Sequence, residues 1–415
     1  MIKHDFASLA AVWSFPTTVW FGAGGLERAA AACAAAGIER PLVVTDPGLA
    51  ELTPAIRLME VLDAADLAPV LFTEVRPNPV AANIEAGLKV LRAGDHDGVV
   101  ALGGGSALDA GKVIAFMAGQ TRPIWDFEDV EDWWTRANAE AILPVVSVPT
   151  TAGTGSEVGR AALITLEDGR KLGFIAPHLI PKAAICDPEL TLGLPPRLTA
   201  ATGMDAVTHC VETYLSPRYN PPAEAIALDG LARAVAAIGR AVADGADRDA
   251  RREMMMAALQ GGLTFQKGLG AVHALSHPLG GLKEPSLHHG TLNAVLLPAV
   301  LRFNEPAAPE KYRTLRRTLG LAEAASLPDF FAALTARRPG QRWQREALQA
   351  HAETLDQVRR HRVAQVVGRV EERHVPGLVG RQPLVLDHPG IVLDGAVGDH
   401  HVADPQRRIE PARHA

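Results

Sequence analysis

The first half of the chain alternates short apolar, β-branched runs with alanine-rich stretches of helical period, and that alternation admits few architectures. Pro41 to Asp46 (PLVVTD), Ala68 to Val75 (APVLFTEV), Gly98 to Leu102 (GVVAL) and Leu143 to Val148 (LPVVSV) read as strands buried on both faces. Leu26 to Ala36 and Ala81 to Ala93 lie between them with helical spacing. Strands and helices in alternation predict a parallel sheet covered by helices. From about Leu198 the strand pattern stops, and amphipathic stretches such as Ala223 to Ala243 and Arg251 to Gln260 predict a second, all-α domain. The glycine and paired prolines of Leu192 to Pro196 (LGLPP) mark the boundary. The expected organisation is an α/β domain over 1–195, an all-α domain over 196–337 and a tail of different character over 338–415.

Composition narrows the partners. A net charge of -6 with a pI near 6.2 supplies no basic field for nucleic acid or an anionic membrane, which leaves a small molecule as the expected partner. The N-terminus, MIKHDFASLAAVW, lacks the long apolar stretch of a signal peptide, and no run of about 18 apolar residues occurs elsewhere. Cys33, Cys186 and Cys210 are odd in number, far apart and without a CxxC pair, so they read as free thiols in a reducing compartment. A cytoplasmic protein is the expectation.

Three stretches of the α/β half carry the marks of a nucleotide site. The strand Gly98 to Leu102 runs into GGGSALDAGK, Gly103 to Lys112, and then into the helical VIAFMAG. Such a turn presents unpaired backbone N–H groups and the positive end of a helix dipole, which suit a pyrophosphate. Asp46 ends an earlier strand, where a carboxylate bonds a ribose 2′-OH and repels a 2′-phosphate, favouring NAD over NADP; a helix N-cap is the plainer role for it. VPTTAGTGSEVG, Val148 to Gly159, crowds Thr150, Thr151, Thr154 and Ser156 around two glycines after another strand, either as a cofactor loop or as an ordinary Ser/Thr turn.

The helical half carries the marks of a metal site. Asp205 and His209 lie four apart in GMDAVTHCVETY, on one face of a helix, and His273, His277, His288 and His289 follow in GAVHALSHPLGGLKEPSLHHG. A carboxylate with neutral imidazoles suits Fe(II) or Zn(II) better than Ca(II) or Mg(II). Spacing alone does not choose between His273 and His277, or between His289 and His288.

Together these motifs resemble the iron-containing (group III) alcohol dehydrogenases. GGGSALDAGK is similar to that family's GGGSxxDxxK element and PTTAGTGSEV to its threonine loop, while GMDAVTHCVETYLSP with HALSHPLGG and HHGTLNAVLLPAVLRFN is similar to its metal region. PNP at Pro77 to Pro79 and FGAGG at Phe21 to Gly25 extend the match over roughly residues 10 to 335. The resemblance implies a Rossmann-like dinucleotide-binding domain followed by a helical metal-binding domain. It implies NAD-dependent hydride transfer between a small alcohol and its aldehyde, and a homo-oligomer, with a dimer expected. Asp205, His209, His273 and His289 become the metal ligands, with Fe(II) expected and Zn(II) equally suited to the donors. His277 becomes the proton-relaying residue beside the nicotinamide. Asp46, Asn78, Gly104, Gly105, Ser106, Asp109, Thr150, Thr151, Thr154 and Lys171 become the cofactor site. The resemblance extends to 4-hydroxybutyrate and other hydroxy-acid dehydrogenases. Glycerol dehydrogenases and dehydroquinate synthases use three-residue zinc sites, which the fourth ligand argues against.

Two segments stand outside this scheme. Trp125 to Trp134 (WDFEDVEDWW) reads equally as a rim loop near the cofactor or as an exposed helix. From about Arg338 the chain has no lysine and holds seven of its fifteen histidines, and its Ala, Arg, Gly, Pro and His enrichment is what a GC-rich gene read in a shifted frame gives. The expectation is a frameshift that replaces further packing helices, with an inactive NAD- and metal-binding remnant as the non-enzyme reading. Translation of the neighbouring frame should restore family-like helices, and their absence there would sink the idea.

Overall fold

A computed structural model describes residues 15, 17–166, 171–282 and 287–336; the 338–415 tail and the frameshift reading lie outside the described residues. The strands are β1 (Thr18–Phe21), β2 (Pro41–Val44), β3 (Val70–Phe72), β4 (Gly98–Gly103), β5 (Val145–Pro149), β6 (Ala161–Thr165), β7 (Lys171–Ile175) and β8 (Ala183–Cys186). Helices of the same half are α1 (Ala29–Ala36), α2 (Pro47–Ala50), α3 (Thr53–Asp63), α4 (Ala81–Ala93) and α5 (Gly105–Met117). After them come α6 (Pro196–Leu215), α7 (Pro221–Ala243), α8 (Arg248–Leu263), α9 (Ala271–Gly280), α10 (His289–Asn304), α11 (Pro309–Thr318) and α12 (Leu327–Ala336). The described residues after Cys186 contain no strand.

Six strands form one sheet in the order β1-β8-β5-β4-β2-β3, and each adjacent pair is parallel. Val43 stands opposite Val100, and Val100 opposite Val146. The two-residue period of a strand then divides the apolar side chains between two layers. Val43, Val100, Leu102 and Val146 pack with Ala32, Leu58 and Leu62 of α1 and α3, whereas Leu42, Val44, Val99 and Ala101 pack with Ile84, Leu88 and Ile114 of α4 and α5. Both faces are covered, which is why the central strands are continuous apolar runs. The edge strands β1 and β3 are the less buried ones.

The four expected strands are present to within a few residues. β1, β8 and the antiparallel β6–β7 hairpin are additional to them. β8 is only Ala-Ala-Ile-Cys, too short and too poor in β-branched residues to announce itself. The hairpin returns toward the nucleotide side through a hydrogen bond from the Thr165 N–H to Pro79 O (2.7 Å).

In the helical half α6 is the central element. Each of its residues from Thr199 to Leu215 is buried. It packs against α7, α8 and α10 in a core that includes Val207, Val211, Leu231, Met254, Leu297 and Phe331. Such a helix has no solvent face, so polar groups along it must be matched by specific partners. Among the described residues no helix is long and apolar enough to cross a membrane. The three cysteines are free and buried; burial pushes Cys33 and Cys210 up to about 12 and Cys186 well above the usual thiol range.

Candidate active site

The chain turns toward opposite faces of the sheet after two neighbouring strands: β2 is followed by α3 on one face, β4 by α5 on the other. A crevice opens at such a switch point, beyond the carboxyl ends of the strands. Here it is a cavity of about 1430 Å³ whose wall is shared by the two halves, with Asp46, Gly104 and Thr151 on one side and Asp205, His273 and His289 on the other.

On the sheet side, Gly104 is the extended N-cap of α5 and Gly105 its first residue. A Cβ on Gly105 would lie 2.9 Å from Thr154 Cγ2, and one on Gly104 would lie 3.3 Å from Thr151 Cγ2, so glycine lets the turn and the threonine loop close on each other. Thr150, Thr151, Thr154 and Ser106 all line the cavity. Thr151 Oγ1 is buried and has no hydrogen-bond partner. Asp46 takes the plainer of its two considered roles, Oδ1 accepting from Gly48 N–H (2.9 Å) and Leu49 N–H (3.1 Å) as the N-cap of α2, and the residue also lines the cavity. Asn78, at φ 55°, donates its N–H to Ser106 Oγ (3.2 Å) and brings the PNP segment to the same wall.

Asp109 and Lys171 have further duties. Asp109 accepts from Ser156 Oγ (2.6 Å) and from Leu163 N–H (3.0 Å), so it braces the threonine loop and β6 while lining the cavity. Lys171 begins β7; burial lowers its ammonium to about 8 against the opposing pull of Asp109 and Asp205. Of the acidic and aromatic Trp125–Trp134 segment, Asp129 reaches the wall, while the segment itself forms two short 3-10 turns rather than a helix.

On the helical side, α6 supplies Asp205 and His209 one turn apart, α9 supplies His273 and His277, and α10 begins at His289. Asp205 Oδ1 is 3.5 Å from Nε2 of each of His209, His273 and His289. Asp205, His273 and His289 have ligand atoms all within 4.8 Å of one another, and His209 joins them through Asp205. His277 and His288 line the same cavity outside that group.

The ring partners fix which nitrogens face inward. His209 Nδ1 lies 3.1 Å from Gly153 O, and His273 Nδ1 lies 2.6 Å from Glu212 Oε2, so both Nδ1 atoms carry hydrogen. Ser276 Oγ donates to His273 O (3.3 Å) and faces His289 Nδ1 at 3.4 Å, so it is placed to accept from that ring. Three Nε2 atoms therefore converge on the side of Asp205 Oδ1. Burial opposes the charge of Asp205, yet the His209, His289 and His273 rings hold it below the usual carboxylate range. Burial pushes His209 down to about 4 and His289 well below its ordinary value, against the pull of Asp205. His273 moves the other way: burial lowers it, but hydrogen bonds to Asp205 and Glu212 outweigh that and raise it to about 9.

This donor set fits a divalent transition metal. A tetrahedral shell with bonds of about 2.0–2.2 Å has edges of about 3.3–3.6 Å; the three Asp205-to-ring separations fall in that range, while His209 stands outside the tighter group of Asp205, His273 and His289. Two buried carboxylates, Asp205 and Glu212, with three imidazoles also form a pocket that a doubly charged cation balances.

Two buried groups beside this set, Glu212 and Asn293, were not expected. Asn293 Nδ2 donates to Asp205 Oδ1 (2.7 Å) and lies 3.2 Å from Nε2 of both His273 and His289, while its Oδ1 is buried without a partner. Their signal in the sequence is helical spacing: Asp205, His209 and Glu212 share a face of α6, and Asn293 lies one turn beyond His289.

The profile described as "Iron-containing alcohol dehydrogenase" matches residues 16–188, and "Fe-containing alcohol dehydrogenase family, C-terminal" matches 199–337. A 4-hydroxybutyrate dehydrogenase of Cupriavidus necator is 50% identical over 314 residues, 74% of this chain and 81% of that protein. Alcohol dehydrogenase 4 of Saccharomyces cerevisiae is 40% identical over 300 residues, 72% of this chain and 77% of its own. Among solved structures, a 1,3-propanediol oxidoreductase superposes with a TM-score of 0.71 at 35% identity, covering 78% of this chain and 84% of that one. Sulfoacetaldehyde reductase from Bifidobacterium kashiwanohense in complex with NAD+ gives a TM-score of 0.75 at 26% identity, covering 91% and 96%.

Proposed function

The chain belongs to the iron-containing alcohol dehydrogenase family and is an oxidoreductase of the alcohol dehydrogenase type, and on that premise we propose that it uses NAD(H) and a metal held by Asp205, His209, His273 and His289. The observation that carries this reading is the convergence of three Nε2 atoms, each 3.5 Å from Asp205 Oδ1, in a cavity shared with the glycine turn and the threonine loop. When bound, the metal supplies Lewis acidity at a substrate oxygen and NAD accepts or returns the hydride. Iron is favoured by the family, and the donors accept zinc equally well. NAD is supported by the NAD+ complex of the Bifidobacterium relative.

The chain's own groups do the positioning. The N–H groups at Gly104, Gly105 and Ser106 open α5 toward the cavity and suit a pyrophosphate. Thr150, Thr151 and Thr154 offer hydroxyls beside it, Asp46 and Asn78 lie on the ribose side, and Asp109 and Lys171 complete the wall. His277 lines the cavity with its ring stacked on that of His289 at 4.9 Å, in reach of a proton at the substrate end. The three free cysteines suit a reducing cytoplasm.

For the substrate we propose a small alcohol or its aldehyde, with an ω-hydroxy acid as the second reading. The Cupriavidus relative is named for 4-hydroxybutyrate, and Arg218 lines the same cavity as His273. The protein should be stripped of metal, reloaded with Fe(II) or Zn(II), and assayed for NADH formation with 4-hydroxybutyrate, 1,3-propanediol and 1-butanol. NADH should form only after loading. Arg218→Met should raise KM for 4-hydroxybutyrate about tenfold, or about 1.4 kcal/mol, and leave that for 1-butanol unchanged. No NADH from any of the three with loaded protein would defeat the proposal.

A further inference from the structure

Glu212 has a side chain only 4% exposed and no place on the cavity wall, yet it touches the centre directly. It lies seven residues beyond Asp205 on α6, so helix geometry carries its carboxylate along the same face toward the first turn of α9. Oε1 accepts from Val272 N–H at 2.7 Å. Oε2 accepts from His273 Nδ1–H at 2.6 Å and, at longer range, from His273 N–H at 3.4 Å. Gly270 leaves room for this approach, because a Cβ there would stand 2.7 Å from Oε1 and 3.1 Å from Cδ.

We propose that Glu212 is a positioning residue for the metal centre, fixing His273 in its Nδ1–H form and fastening the start of α9 to α6. The inference rests on the metal reading above. Its physical requirement is a group that only accepts. One oxygen serves the backbone N–H that the helix start leaves unpaired, and the other serves the ring N–H. A neutral amide of the same shape has one acceptor and one donor, so it leaves either Val272 N–H or His273 Nδ1–H facing a second donor. In the latter case the ring turns or changes tautomer, and Nε2 no longer offers its lone pair beside Asp205. Glu212 thereby sets the direction and the basicity of one ligand without touching substrate.

The test compares wild type with Glu212→Gln in the full-length protein, using Zn(II) competition against a chromophoric chelator and the d–d absorption of the Co(II)-loaded protein. Zinc affinity should fall about 10–100-fold, and the Co(II) bands should shift, in protein that keeps its wild-type far-ultraviolet spectrum. A merely structural role would lower the melting temperature of the metal-free protein and leave the bands of the folded protein in place. Folded E212Q with wild-type affinity and bands would overturn the proposal. Should E212Q fail to fold, Glu212→Asp keeps an acceptor-only head one methylene short. It should bind zinc several-fold more weakly, and wild-type affinity there would overturn the proposal too. Failure of wild type itself to bind either ion would instead defeat the metal reading.

Discussion

Asp205→Asn should cost the protein its metal and nearly all of its turnover. Asp205 Oδ1 is the atom equidistant from the three ring nitrogens, and it is the anion among imidazoles at that point. Asparagine keeps the shape and removes the charge. It also faces Asn293 Nδ2, now 2.7 Å from Oδ1, so the two amides compete to orient each other. Breaking a buried charged pairing costs about 3–5 kcal/mol, which corresponds to a fall in metal affinity of roughly 10²–10⁴-fold. Metal per chain after gel filtration and NADH formation should fall together. Full occupancy with wild-type turnover in D205N would remove Asp205 from the centre.

The second large effect belongs to a residue with no chemistry of its own. Gly290 follows His289 in the first turn of α10, and a Cβ there would lie 2.1 Å from Ala201 O and 2.7 Å from Ala201 C. Those atoms are backbone of α6 and have no rotamer to move to, so Gly290→Ala must push α10 away from the helix that carries Asp205. Overpacking of this kind costs about 1–3 kcal/mol in stability, with the larger value expected where backbone is struck. His289 moves with its helix, so metal affinity should fall at least about tenfold alongside a melting temperature lower by several degrees. Gly239 provides the contrast: it sits at an exposed position of α7 with nothing within 4 Å of its Cβ position, so Gly239→Ala should leave metal content unchanged and gain roughly 0.5–1 kcal/mol. Equal behaviour of the two variants would show that the α6–α10 contact does not govern the centre.

How much of this was legible in the sequence follows from the range of each interaction. Central strands such as Pro41–Val44 and Gly98–Gly103 declared themselves because both faces are buried, and the periodic α4 and α7 did so because one face is. The pair Asp205 and His209 was readable from spacing along one helix, whereas the choice of His273 and His289 over their neighbours needed family motifs. Glu212 and Asn293 escaped because their partners lie in other helices: the carboxylate of Glu212 is satisfied by a backbone N–H and a ring about sixty residues on. Lys171 sits on a hairpin that went unrecognised as strands, and the bracing of Ser156 and Leu163 by Asp109 depends on that same hairpin. Local pattern carried the fold and the Asp205–His209 pair, and family motifs supplied the other two candidate donors; the groups that hold those donors in place are specified only by tertiary contact.

The state of the thiols gives the protein a practical property. With Cys33, Cys186 and Cys210 buried and held in the protonated form far above neutral pH, maleimides and nitroxide reagents meet no competing nucleophilic sulfur on the native chain. A cysteine introduced at exposed Ile56 on α3 and another at exposed Phe303 on α10 would be labelled against a silent background. One doubly tagged molecule would then report the span between the sheet-bearing and helical halves in solution, with the native sequence otherwise intact.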